Sequence, residues 1–151
     1  MAKIGDEIKQ KKFDNEFQKL AVNVLFTSSW VSTRLNALLK PYDISVQQFN
    51  ILRILKGQHP KPAPLKLLTD RMIDKMSNTS RLIDKLMKKN LVERKICAQN
   101  RRQVDIIITK KGLELLEKLS ILIELQNNKV GVNEIEAKTL NELLDKFRNE
   151  N

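Results

Sequence analysis

The hydrophobic positions in the first third of the chain repeat at the spacing of one long helix. Between residues 13 and 38 they recur at steps of three, four and seven residues, which is typical of the apolar stripe of an amphipathic helix. Pro41 ends this helix, because proline cannot continue the ladder of backbone hydrogen bonds. The members of the stripe are Phe13, Phe17, Leu20, Val24, Val31, Leu35 and Leu38.

Two shorter helices are predicted next. Ser45 lies three residues before Gln48, which is the spacing of a capping box, and the helix that begins there is expected to end at Gly57. Its predicted buried side chains are Phe49, Leu52 and Leu55. The stretch HPKPAP is an extended connector, after which Pro64 suits the first turn of a short helix. That helix is expected to bury Leu65, Leu68 and Met72.

The segment from Ser77 to Gly112 predicts a polar helix followed by two strands. Asp74 or Ser77 is the expected N-cap of the helix. Its inward side is predicted to consist of Thr79, Leu82, Ile83 and Leu86, and its outward side of Ser77, Asn78, Arg81 and Lys85. The strands span residues 91–96 and 103–108. The second strand alternates as a half-buried strand should, with one face formed by Val104, Ile106 and Ile108.

The remaining residues predict two C-terminal helices separated near Gly131. Thr109 is the expected N-cap of the first, which is built on Leu113, Leu116, Leu119, Leu122 and Ile123. The apolar positions of the second are Ile135, Leu140, Leu143, Leu144 and Phe147. Both terminal regions carry more apolar surface than a small module can bury. We therefore expect a homodimer, with an intramolecular bundle in a monomer as the alternative.

Positive charge is concentrated in the same segment as the polar helix and the two strands. The chain has a formal net charge of +10, and residues 60–111 hold 14 Lys and Arg against 5 Asp and Glu. This segregation favours a nucleic-acid partner over a face charged only for solubility. The 151 residues suffice for one domain with a core. No apolar run is long enough for a membrane helix, and no signal-peptide pattern precedes the first helix, so a cytoplasmic location is expected.

The stretches SRLIDKLMKKNLVERKI and NRRQVDIIITKKG resemble the recognition helix, wing and wing exit of MarR-type (multiple antibiotic resistance regulator) transcription regulators. These are dimeric winged helix-turn-helix proteins, and the resemblance covers nearly the whole chain. It implies a mainly α fold with a small β wing, in a single domain at residues 1–151. The winged helix-turn-helix core would span about 45–111, flanked by dimerisation helices at about 13–40 and 111–149.

Two positions depart from the family pattern. Asn100 stands where an acidic residue usually precedes the paired wing arginines, Arg101 and Arg102. A neutral amide can still accept a hydrogen bond from a guanidinium, although less strongly than a carboxylate does. Asn90 replaces the glycine common after the recognition helix, and asparagine is the next most tolerant residue of a left-handed cap.

The polar residues of the helix and wing are the candidate DNA-binding groups. Arg81 can donate two hydrogen bonds to guanine, and Asn78 has the geometry for adenine. Short hydroxyls and lysines suit phosphates, while arginines at the hairpin tip could enter a flanking minor groove. The full candidate set is Ser77, Asn78, Ser80, Arg81, Lys85, Lys88, Arg101 and Arg102. Alternatively, Arg81 pairs with Asp84 or another carboxylate within the fold, and either wing arginine contacts only phosphate.

The resemblance also implies a small aromatic or phenolic acid as a candidate effector. Its cleft would be lined by Trp30, Arg34, Tyr42, Phe49 and Arg53, unless these side chains are ordinary core. We expect no cofactor, no metal and no enzymatic activity, since one histidine and one cysteine cannot assemble a metal site and no nucleophile has a suitable base. Cys97 is either a redox sensor or, as we prefer, a small residue of the wing.

Together these patterns predict a homodimeric, sequence-specific regulator that binds double-stranded DNA at a pseudo-palindromic operator. We expect this regulator to act as a repressor. Two alternatives stay open. The chain could be a non-specific or architectural DNA-binding protein, which needs the same charge without base recognition. It could also be a protein-interaction module that retains the fold, a reading supported only by Asn100.

Overall fold

Seven α-helices and a small antiparallel sheet form the part of the chain that the computed structural model describes, residues 1–149. The predicted mainly α fold with a small β wing is confirmed. In chain order the helices are α1 (Ile4–Glu7), α2 (Glu16–Leu39), α3 (Val46–Gln58), α4 (Leu65–Arg71), α5 (Thr79–Lys88), α6 (Lys110–Asn127) and α7 (Glu134–Arg148). A 3-10 turn, Lys40–Tyr42, follows α2, and the strands are β1 (Ala63–Pro64), β2 (Val92–Ile96) and β3 (Val104–Ile108).

The core lies around α3, which packs against α2, α4, α5, α6 and β3. Its side chains Ile51 and Leu52 are fully buried, and Leu86 of α5 and Leu119 of α6 are buried in the same cluster. Complete burial of one such side chain contributes about 1.5–3 kcal/mol. The core therefore fixes α5 and the sheet on one scaffold.

The sheet has the strand order β1-β3-β2, and both pairings are antiparallel. At its base Val92 pairs with Ile108, and at its far end Ile96 pairs with Val104. Ile106 and Ile108 are buried, whereas Ile96 and Val104 are exposed. The hairpin of β2 and β3 is thus anchored at one end and projects as a wing at the other.

Several predicted helix boundaries are confirmed by their caps. The Ser45 hydroxyl accepts a hydrogen bond from the Gln48 backbone nitrogen at 3.1 Å, and the Gln48 side chain accepts one from the Ser45 nitrogen at 2.9 Å. The Thr109 hydroxyl accepts from the Gly112 nitrogen at 3.0 Å and begins α6. Asn90 adopts a left-handed backbone conformation, with φ of 58°, after α5.

Other predicted boundaries are wrong. The long N-terminal helix begins at Glu16 and excludes Phe13, because the Asn15 side chain caps it by accepting from the Gln18 nitrogen. The next helix continues through Gly57 to Gln58. Two elements were not predicted: the short helix α1, and β1, which pairs with β3 inside the stretch expected to be only a connector.

The terminal helices keep large apolar side chains on the surface. The most exposed are Phe17 and Leu25 of α2, and Ile135 and Leu143 of α7. Ile121 and Leu125 extend the same kind of surface along α6. The predicted excess of apolar positions in these regions is therefore confirmed. Within residues 1–149, no helix has the combined length and apolarity needed to cross a membrane.

Candidate nucleic-acid interface

Helix α5 has one buried side and one exposed side. Thr79, Ile83 and Leu86 face the core, and Leu82 is half-buried beside them. The exposed side chains are polar or charged: Ser80, Arg81, Asp84, Lys85 and Lys88. Because apolar residues recur every three or four positions, the sequence fixes which side faces solvent.

The start of α5 differs from its prediction. The N-cap is Asn78, whose Oδ1 accepts from the Arg81 backbone nitrogen at 3.1 Å, and neither Asp74 nor Ser77 caps the helix. The Asp74 Oδ1 instead accepts from the Met76 nitrogen at 2.9 Å. The Asn78 Oδ1 is thus already engaged by the cap, whereas its amide nitrogen makes no hydrogen bond within residues 1–149.

Ser77 is not presented on the outward side of α5 as expected. Its hydroxyl oxygen is buried and has no hydrogen-bond partner within residues 1–149, as is also true of the Thr79 hydroxyl. A buried hydroxyl cannot contact a phosphate without a change in conformation. Ser80 is exposed and keeps the predicted position.

Arg81 is exposed, and no carboxylate of residues 1–149 forms an ion pair with it. The alternative pairing of Arg81 with Asp84 is wrong, because Asp84 Oδ1 lies 2.7 Å from Arg94 Nη2 of the wing. Lys85 and Lys88 are also exposed and lie outside every ion pair found in the same residues. The outward side of α5 thus presents one unpaired guanidinium and two unpaired ammonium groups.

Asn100 organises the tip of the wing through backbone contacts. Its Oδ1 accepts from the Arg102 backbone nitrogen at 3.1 Å, and its carbonyl oxygen accepts from the Gln103 nitrogen at 2.9 Å. Within residues 1–149, no guanidinium donates a hydrogen bond to the Asn100 side chain. Arg101 and Arg102 are exposed at the tip, and Cys97 is half-buried with a free thiol.

Each of the five candidate effector residues takes part in a contact between a cation and an aromatic ring. The Arg34 guanidinium stacks over the Trp30 ring at 4.4 Å, and Arg53 lies over Phe49 at 5.9 Å. Tyr42 instead contacts the ammonium of Lys118, 5.2 Å from its ring. Phe49 is buried, as ordinary core would be, whereas Trp30 is exposed.

A different set of residues lines a cavity of about 630 Å³ beneath α5. The cavity lies between the end of α2, the start of α3 and helix α5, and its lining is strongly basic. Its lining comprises Asn36, Lys40, Asp43, Ile44, Ser45, Gln48, Leu82, Lys85, Lys88 and Lys89. One carboxylate, that of Asp43, lies 2.9 Å from the Lys89 ammonium. Sequence reasoning missed this site because Lys40 is distant in the chain from Lys85, Lys88 and Lys89.

Helices α4 and α5 followed by the β2–β3 hairpin define a winged helix-turn-helix protein. The sequence model of the MarR family matches residues 44–104, which include α4, α5 and β2 and end at the first residue of β3. The fold and this match assign the chain a winged helix-turn-helix similar to that of MarR-family regulators.

Individual relatives agree with this assignment. An uncharacterised HTH-type transcriptional regulator, YhbI of Bacillus subtilis (strain 168), is 33% identical over 87 residues, which is 58% of this chain and 55% of the relative. The match thus spans little more than half of that relative's length. The MarR transcription factor of Planctomyces limnophilus is similar in structure, with a TM-score of 0.66, 28% identity and coverage of 90% and 98% of the two chains. Bordetella bronchiseptica BpsR, whose DNA binding is regulated by 6-hydroxynicotinic acid, shares the fold with a TM-score of 0.78, 17% identity and coverage of 93% and 100%.

Proposed function

We propose that this protein is a homodimeric transcription regulator that binds double-stranded DNA sequence-specifically and acts as a repressor. The observation that carries the proposal is the unpaired, exposed Arg81 on the outward side of α5. A guanidinium presents a planar fork of donors that matches the O6 and N7 acceptors of guanine in the major groove. Because Asp84 is engaged by Arg94, Arg81 needs to break no ion pair to make this contact.

The surrounding charges support the same partner. Lys85 and Lys88 would neutralise phosphates beside the recognition helix, and a lysine contact of this kind carries no sequence information. Arg101 and Arg102 at the wing tip would enter a flanking minor groove, where narrow A·T-rich segments concentrate negative potential. Ser80 and the Asn78 amide nitrogen would also contact DNA and complete the proposed surface.

The proposed homodimer rests on the exposed apolar side chains of α2, α6 and α7. Large apolar side chains such as Phe17 and Leu25 of α2 and Ile135 of α7 are exposed, and contiguous exposed apolar groups mark interfaces between proteins. A two-fold dimer would present two α5 helices to DNA. Their half-sites would then lie about one helical turn, roughly 10 base pairs, apart.

The basic cavity beneath α5 is the site that we propose for a small acidic effector. Lys85 and Lys88 belong to both the cavity and the proposed DNA-binding surface. An anionic ligand in the cavity would neutralise these two ammonium groups and compete with phosphates for them. The 6-hydroxynicotinic acid that regulates BpsR has the acidic and aromatic character expected of such a ligand.

The function is tested by selecting bound sequences from a random duplex pool and from fragments of the source genome, the chain's own promoter included. Enrichment of a pseudo-palindrome, followed by gel shift, is the expected result. The affinity should fall steeply as salt rises, since each neutralised phosphate releases counterions. Binding without enrichment would instead identify an architectural protein, and absence of binding would favour an interaction module.

A further inference from the structure

The loop between α4 and α5, residues 72–78, is fixed to α3 by side-chain hydrogen bonds. The Asn50 Oδ1 accepts from the Ile73 backbone nitrogen at 2.9 Å, and the Gln47 amide donates to Asp74 Oδ2 at 3.4 Å. Asp74 also accepts from the Met76 nitrogen through Oδ1 and from the Ser77 nitrogen through its carbonyl. The loop is therefore an ordered part of the scaffold.

Two large apolar side chains extend into solvent from this ordered loop. Met76 is 92% exposed and Ile73 is 78% exposed. Met76 lines a hollow of about 390 Å³ at the start of α5 together with Asn78, Arg81 and Lys85, whereas Ile73 does not line it. The Asp74 carboxylate also borders the hollow, but both of its oxygens accept hydrogen bonds from within the fold. Met76 is thus the fully exposed apolar side chain of a hollow whose other apolar member, Leu82, is half-buried.

We propose that Met76 determines part of the sequence specificity by packing against the C5-methyl group of a thymine in the major groove. This inference rests on the proposed function. The C5-methyl is the one apolar feature that a base pair presents in that groove, and it distinguishes thymine from the other bases. The basic neighbour Lys85 suits a phosphate that borders such a contact, and Arg81 suits an adjacent base edge.

The chemistry of methionine fits this role better than the role of a phosphate anchor. Its thioether is polarizable and makes no charged contact, and its unbranched chain adapts to the position of a methyl group. The Met76 side chain is flexible, but the backbone of the loop that carries it is held by hydrogen bonds to Asn50 and Asp74. Removal of one thymine methyl should weaken binding about fourfold, the equivalent of one buried methylene.

The experiment uses the full chain and the operator that the selection described above defines. Each thymine of a half-site is replaced in turn by deoxyuridine, which keeps every hydrogen-bonding group and lacks only the methyl. For the wild type, one or two of these replacements should lower the affinity about fourfold. Met76→Ala should bind the unmodified operator about fourfold more weakly and lose its response to deoxyuridine at those positions. Met76→Leu should retain the response.

Ile73→Ala is the matched control, since it removes an exposed apolar side chain from the same loop but not from the hollow. It should respond to deoxyuridine as the wild type does. The inference is overturned if no thymine methyl affects wild-type binding, or if Met76→Ala still responds at the same thymine. If selection enriches no sequence at all, the proposed function itself fails and the inference falls with it.

Discussion

Arg94 of the wing and Asp84 of α5 form an ion pair across two elements, with 2.7 Å between Arg94 Nη2 and Asp84 Oδ1. The side chains are 45% and 54% exposed, respectively. An exposed ion pair contributes only about 0–1 kcal/mol, because solvent screens it and two long side chains lose freedom. Its structural consequence is larger. Asp84 is the one carboxylate on the outward side of α5, and because it pairs with Arg94 it does not pair with Arg81.

The first prediction concerns the energy of that ion pair. In a double-mutant cycle, Asp84→Asn, Arg94→Gln and the double variant should give a coupling of about 0.2–1 kcal/mol in the free energy of unfolding. The coupling should shrink in 1 M NaCl, where the Debye length is about 3 Å. Urea denaturation at two salt concentrations measures both values. A coupling that is unchanged by salt would show that the two side chains interact through packing instead.

The second prediction separates the two roles of Asn78. Asn78→Ala should lower the free energy of unfolding by about 0.5–2 kcal/mol, because the Arg81 backbone nitrogen loses its cap. Asn78→Ser should stay close to the wild type, since serine caps as well as asparagine does. Thermal or urea unfolding measures stability, and gel shift measures affinity. If the serine variant is stable and binds the operator as tightly as the wild type, the Asn78 amide contacts no base.

The third prediction compares two glycines. A Cβ at Gly112 would overlap the Leu91 carbonyl oxygen and lie 2.7 Å from Ile108 Cγ1, so α6 passes too close to the sheet to admit a side chain. Gly112→Ala should therefore destabilise the protein by about 1–3 kcal/mol. Gly57→Ala is the control, because nothing lies within 4 Å of its added Cβ and α3 continues through it. It should stabilise the protein by about 0.5–1 kcal/mol.

The features predicted correctly from sequence depend on neighbours a few residues apart. Ser45 and Thr109 each cap a helix by accepting from a nitrogen three residues later, so each cap lies within one local stretch of sequence. Before α5 there are three candidates, and Asn78 is the cap because Asp74 already serves the loop by accepting from Met76. That choice depends on tertiary contacts that the local sequence does not contain.

Contacts between distant parts of the chain account for the other errors. Strand β1 is two residues long and includes proline, and Ala63 is a strand residue only because it pairs with Ile106. The basic cavity requires Lys40 to lie near Lys88, and apolar periodicity contains no information on that distance. The contact of Tyr42 with Lys118 likewise joins residues that lie far apart in the chain.

The fourth prediction tests the homodimer. The wild type should sediment as a dimer at micromolar concentration. The double variant Ile135→Glu, Leu143→Glu places two charges on the exposed apolar surface of α7. It should raise the dissociation constant of the dimer at least about tenfold, which corresponds to roughly 1.4 kcal/mol. Ile96→Glu is the control, since Ile96 is equally apolar and exposed but lies on the wing. A folded wild-type monomer at micromolar concentration would contradict the proposal.

The last prediction distinguishes base recognition from phosphate anchoring. Arg81→Ala should cost about 1–3 kcal/mol on the selected operator and little on scrambled DNA, because a fork of donors matches one base edge. Lys88→Ala should weaken both complexes alike, since a flexible ammonium finds any phosphate. Arg102→Ala should lose most on operators with A·T-rich flanks, where the minor groove is narrow. Each variant is titrated against operator and scrambled duplex at one salt concentration. An equal loss on both duplexes for Arg81→Ala would mean that α5 does not recognise sequence through this residue.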